Sequence, residues 1–236
     1  MSSPGHKQLR GLILRHVAYG DADLYLHVLN EDGLTSCFAK GAKRQRSPLL
    51  GITQIYSLVE LELFQGRKTL SLDGGSVVYP FSSLQRDPLN LAAAGHGADI
   101  SLEILRDESH ASWLYPLLIY YFFAIDAGEK PLEQLISTFG YRFLCEAGFA
   151  PLLEQEVDSG DSIDETKIAT GKYVYSRPRG ALVLRDQAAP YGRIEMSTSL
   201  WQVLRYLKTA PVTQLFNTTM NESLIQQLWF FVNPIL

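Results

Sequence analysis

Only two cysteines, Cys37 and Cys145, occur in the 236 residues. Two thiols so far apart exclude a disulfide framework and a cysteine-rich zinc knuckle, and are most simply small buried hydrophobes. Also missing is any run of the ~20 apolar residues that would cross a bilayer. The best candidate, residues 113–127, is short and carries Pro116 and Asp126. The N-terminal stretch MSSPGHKQLRG has no apolar core of a secretory signal, so a cytoplasmic address is expected. No nucleophile elbow, phosphate-cradling glycine loop with its lysine, or HExxH pair appears, and nothing repeats. Asp21 and Asp23 lie two apart with His16 and His27 near in sequence. Acids on a turn and a strand are more often capping groups than ligands. No catalytic residue and no cofactor are therefore expected, and the chain reads as a non-enzyme.

What is present is a globular composition, 46% hydrophobic and 19% charged, with a formal charge of -4. The charge is unevenly spread. Residues 1–70 hold nine Lys/Arg against six acids, a balance of +3 that leaves -7 for the rest. Within 39–47, AKGAKRQRS, Lys40, Lys43, Arg44 and Arg46 crowd together with no acid among them. A bare cationic run on an acidic background points to a phosphate backbone more readily than to packing. Residues 154–165 carry six acids and no cation; without periodicity, they read as a mobile loop. Residues 166–209 hold eight Lys/Arg and two acids, a second basic region of +6.

The first eighty residues read as strands. Residues 23–29 alternate, with Leu24, Leu26 and Val28 on one face and Asp23, Tyr25 and His27 on the other. NEDG at 30–33 has hairpin-turn chemistry, and 55–64 alternate again, putting Tyr56, Glu60, Glu62 and Phe64 on one face. With 9–17, 34–39 and 68–72 this makes about five strands, the number of a small antiparallel barrel, OB-fold or SH3-like. After Pro80 the period becomes helical. Asp87-Pro88 starts a helix; 113–125 are apolar nearly all round; 130–148 open on Pro131 and close on Gly148; Asn221 caps a last helix. Residues 173–175 and 181–184 read as a β-hairpin inserted among helices, with SRPRG at its tip, and Gly74-Gly75 as a turn or bulge.

Several of these stretches together resemble one family. Tyr19-Gly20-Asp21-Ala22-Asp23, Gly33, Ala39-Lys40-Gly41-Ala42-Lys43-Arg44 and Ser47 stand in the order typical of the DNA repair protein RecO family. Leu61-Glu62-Leu63-Phe64 with Gly66-Arg67, Leu84-Gln85-Arg86-Asp87, Phe139 to Leu144, and Gly148-Phe149-Ala150-Pro151 follow in sequence. No single motif is specific; their ordered sum is. The resemblance implies an α+β chain: an N-terminal five-stranded OB-fold barrel over 1–80, then a helical domain over 81–236 with a basic, hairpin-containing insertion near 166–195. It implies a recombination mediator that binds single- and double-stranded DNA and anneals complementary strands. It also implies partners: RecR, the C-terminal tail of single-strand-binding protein, and RecA indirectly. Many relatives carry a four-cysteine zinc site after the Gly-Phe-Ala-Pro element. Residues 152–193 contain no cysteine here, so no metal is expected.

Single-stranded DNA requires a cationic groove with aromatic platforms. The candidates are Lys40, Lys43, Arg44 and Arg46 on the loop, Arg67 and Lys68 at the next hairpin, and Arg177 and Arg179 at the inserted tip. Tyr56, with Tyr25 and Phe64, shares the outward parity of its strand and could stack bases. Arg142, read as lying on the exposed side of its helix, is the candidate cation for an acidic partner tail. An adaptor with little DNA affinity is the alternative.

Overall fold

The computed structural model describes residues 5–67, 69–107 and 111–233. By packing, the chain divides into two compact units, 1–129 and 130–236. Among the described residues no helix is long and apolar enough to cross a membrane.

The first unit opens with five strands: β1 (Gly5–Tyr19), β2 (Asp23–Asn30), β3 (Gly33–Ala39), β4 (Leu58–Gln65) and β5 (Leu70–Tyr79). They close into a barrel of order β1-β2-β3-β5-β4, the OB-fold arrangement. β1 pairs with β4 through its first half and with β2 through its second, so it must turn a corner between them. Gly11 sits there, where a Cβ would fall 2.6 Å from the Leu29 carbonyl oxygen. Leu24, Leu26, Leu61 and Leu63, the inward set of the two alternating runs, are at most 5% exposed and form the core with Ile13 and Val59. Cys37 joins them, and burial pushes its thiol up to about 12. Cys145, in the other unit, is only half buried. The bulge read at Gly74-Gly75 falls one residue earlier, at Asp73, which the register skips between Gly74 and Leu72. Gly75 pairs with Leu61, and its φ of 146° with a would-be Cβ 2.3 Å from the Glu60 carbonyl oxygen marks a close backbone approach.

Helices follow within the same unit: α1 (Ser82–Arg86), α2 (Pro88–Asp107) and α3 (Leu114–Ala127). Asp87 caps α2, its carboxylate accepting from the Leu89 N–H at 2.8 Å. Phe81 is fully buried and packs edge-on to Tyr79, Phe122 and Phe123, with ring centroids 4.8, 5.7 and 4.9 Å away. Asp126 accepts from the Tyr79 hydroxyl and the Ser83 N–H. The change of period at Pro80 is thus a change of secondary structure, whereas compactness divides the chain after α3.

The second unit holds α4 (Leu132–Leu144), β6 (Leu152–Glu156), α5 (Glu165–Ala169), β7 (Tyr173–Ser176), β8 (Ala181–Leu184), β9 (Arg193–Glu195), α6 (Thr198–Thr209), α7 (Val212–Leu215) and α8 (Glu222–Val232). Asn221 caps α8 as expected. One expectation is extended and one corrected. The hairpin forms as expected, with β7 antiparallel to β8, and is the centre of a four-stranded sheet of order β6-β8-β7-β9. The acidic stretch 154–165 is built structure, not a mobile loop: it includes the end of β6, and Asp164 caps α5 through the Lys167 N–H. Hydrophobic periodicity missed it because side-chain-to-backbone bonds hold it, with Glu156 accepting from the N–H groups of Asp158 and Ser159.

Candidate nucleic-acid interface

The loop from β3 to β4 begins with Lys40, and its cations stand outward because its small residues are tied down. Gly41, in the left-handed region at φ 69°, donates its N–H to the Asp23 carboxylate at 2.7 Å. Lys43 donates its N–H to the Ala22 carbonyl at 2.9 Å, so the loop is pinned to the β1–β2 turn. Ala42 is fully buried, and Leu49 and Ile52 plug the barrel beyond it. Between these anchors Lys40, Lys43, Arg44 and Arg46 are exposed, and among the described residues none of them has an ion-pair partner. Bare cations on an anchored loop are pre-positioned for phosphate, since little side-chain pairing has to be broken first.

The adjoining outer face is aromatic. Strand register puts Val17, Tyr25 and Phe38 in one row across β1, β2 and β3, and Arg15, His27 and Ser36 in the next. Tyr19 stands 59% exposed at the end of β1. Its ring centroid lies 5.6 Å from Tyr25 and 5.8 Å from Phe38, which are 5.2 Å apart. Phe38 continues the row through Ser71 to Phe64, which packs on His6. The same parallel bridge brings the β4–β5 hairpin with exposed Arg67 alongside β3; Lys68 lies outside the described residues. Partial burial, then the Arg15 charge, lowers the pKa of His27, which is within hydrogen-bond distance of Ser36 Oγ at 3.0 Å. Asp23 and His27, two of the four residues weighed above as ligands, are thus engaged in holding the loop and this face.

Other candidates land elsewhere. Tyr56 is not on the outward parity of a strand: it precedes β4 with φ 58°, its ring edge-on to Phe122 at 5.5 Å. Burial and then Asp99 hold its hydroxyl above the usual tyrosine range. Arg142 is not on an exposed side; its side chain is 11% exposed. It donates to the carbonyls of Leu207, Lys208 and Ala210 at 3.0 Å each and to Glu146 at 2.7 Å, closing the C-terminal end of α6. Arg179 makes a two-pronged pair with Asp158, and Arg177 donates to the Phe230 carbonyl. Lys208 pairs with Glu154, and Arg185 with Glu195. Much of the second basic region is therefore neutralised, in part by the acidic stretch before it. The barrel face was only partly legible: Tyr25 and Phe64 were found by parity, while Tyr19 and Phe38 were missed. Carrying the alternation of β1 two residues past 17 finds Tyr19, and applying it within 34–39 finds Phe38.

A pinned cationic loop beside an aromatic barrel face suits a nucleic-acid strand, and comparison with known proteins supplies the family. The "Recombination protein O N terminal" family matches residues 1–81, and the "Recombination protein O C terminal" family matches residues 85–236. The chain belongs to the recombination protein O family. Relatives named DNA repair protein RecO include that of Anaeromyxobacter sp. (strain K), 34% identical over 67% of this chain and 63% of that protein. The one from Acetivibrio thermocellus is 24% identical over 92% of this chain and 85% of its own length. That of Dehalococcoides mccartyi is 24% identical over 97% and 88%. As a recombination protein O member, the chain divides between barrel and helices in the family matches, between residues 81 and 85, rather than after α3.

One test isolates the anchoring from the charge. Asp23→Ala removes the acceptor for Gly41 without altering any cation, and should cost about 1 kcal/mol of stability. It should weaken oligonucleotide binding several-fold while leaving the number of ions released unchanged, read as an unaltered slope of log affinity against log salt.

Proposed function

We propose that the chain is a non-enzymatic recombination mediator whose barrel binds single- and double-stranded DNA and anneals complementary strands. Membership of the family implies a role in DNA repair and recombination. The observation that carries the finer reading is the set Lys40, Lys43, Arg44 and Arg46, without ion-pair partners among the described residues, beside the Tyr19, Tyr25 and Phe38 rings. The cations neutralise phosphates, which lowers the repulsion between two strands. The rings hold bases by their faces and leave the pairing edges free for a complement. Arg67 extends the cationic track. In the cell this mediator works in the cytoplasm, at the nucleoid during repair. It acts with RecR and the tail of single-strand-binding protein to help load RecA on coated strands.

The test is a pair of titrations, single strand and duplex, across a salt series. Affinity for both should fall steeply with salt. Tyr25→Ala with Phe38→Ala should cost the single strand about 1–3 kcal/mol per stacked base while changing duplex affinity little, because duplex bases are already stacked. Weak, salt-insensitive binding by a folded sample would leave only the adaptor role.

A further inference from the structure

Outside the barrel, two strongly exposed aromatic side chains of the second unit border one hollow. Tyr191 is 85% exposed and Phe230 63%. With Arg177, Pro178 and Arg193 they line an open depression of about 810 Å³ beside β9 and α8, and no lining residue is acidic. The arrangement is built. The Arg177 guanidinium lies 5.5 Å from the Phe230 ring centroid and donates to the Phe230 carbonyl, fixing both side chains. Gly192, at φ 71°, has Pro178 Cδ only 3.0 Å from where a Cβ would be. This tight turn carries Tyr191 outward. Arg193 approaches Glu195 only to 3.8 Å, and that carboxylate is already held by Arg185 at 2.8 and 2.5 Å.

We propose that this hollow is a second binding surface for single-stranded nucleic acid, separate from the barrel face. It rests on the reading of the barrel as a DNA-binding module and adds a second strand to it. Arg193 meets a phosphate, Tyr191 offers its ring to a base, and Phe230 with the Arg177 guanidinium laid over one of its faces forms the rest of the platform. An acidic peptide would also welcome the arginines. It would need an enclosed apolar pocket as well, and the apolar residue beneath, Ile194, is already covered at 6% exposure. Arg179, two residues from Arg177, takes no part because Asp158 holds it.

The experiment titrates short oligo(dT) into the full chain at protein concentrations above the dissociation constant, with sedimentation to establish the protein's own state. Wild type should take up two equivalents per chain. Tyr191→Ala with Arg193→Ala should leave the tighter equivalent intact and weaken the second about tenfold or more, and Tyr191→Phe should retain both. Both altered positions are exposed, and an unchanged melting curve checks that the fold is kept. Lys43→Ala with Arg44→Ala should do the reverse, weakening the tighter equivalent alone. One equivalent on wild type, or two that survive Tyr191→Ala with Arg193→Ala, overturns the second surface while leaving the barrel reading standing. Loss of binding to a short acidic peptide carrying one aromatic residue, with both DNA equivalents unchanged, overturns it in favour of a protein partner. No uptake of oligo(dT) at all sinks the barrel reading itself.

Discussion

Replacing Lys43, Arg44 and Arg46 together by alanine flattens the salt dependence of single-strand binding by about 2 in slope, and lowers affinity about a hundredfold at 0.1 M salt. Both figures follow from counterion release: each lost phosphate contact removes about 0.7 from the slope, hence roughly 0.7 of a decade at tenfold dilution from 1 M. The fold should hardly notice. These side chains are exposed and, among the described residues, without ion-pair partners, while the anchoring of the loop runs through Gly41, the backbone of Lys43 and buried Ala42. Surface changes of this kind usually stay within about 0.5 kcal/mol. Arg179→Ala is the contrast. Its guanidinium is already committed to Asp158, so its removal should leave the slope where it was. Fluorescence anisotropy with a labelled oligonucleotide across a salt series reads both. A loop variant that binds like wild type would remove the basis for placing DNA on the barrel.

Arg142→Ala has the largest expected effect on stability. The guanidinium serves three carbonyls at the end of α6 and the carboxylate of Glu146 just past its own helix, and its side chain is 11% exposed. Truncation leaves those carbonyls without their donor and removes a cation from the negative end of a helix, which together should cost about 3 kcal/mol. Arg142→Lys should recover little, because an ammonium cannot present the same fork to several oxygens. The measurement is the urea midpoint followed by circular dichroism, with oligonucleotide binding as the control that should not move where the variant is still folded. Should the variant instead keep its midpoint and lose affinity for an acidic peptide, the arginine would be a recognition residue and not a clasp.

The two experiments bear on how differently two kinds of arginine read in a sequence. Arg44 stands in a cationic run, and Arg142 stands singly among apolar residues. One is bare because its neighbours in the chain, Gly41 and Ala42, are the residues that touch the barrel. The other is enclosed because α6, more than fifty residues later, ends against it. Local pattern predicts the first and is blind to the second. The same holds for the hairpin tip. Arg177 and Arg179 look alike in SRPRG, yet one stacks on a ring from α8 and the other is paired with an acid from the preceding acidic stretch.

The amino-acid sequence by itself determined the barrel strands, the helix starts at Asp87 and Asn221, the cationic loop and the family. All of these depend on spacings within about ten residues or on an ordered set of short motifs. Only the tertiary structure decided which charges are free, which aromatics share a face, and that Tyr56 turns toward Phe122 rather than outward. The physical reason is range. Periodicity and capping are set by neighbours along the chain, whereas charge pairing and ring contact are set by residues that meet only once the strands and helices have packed.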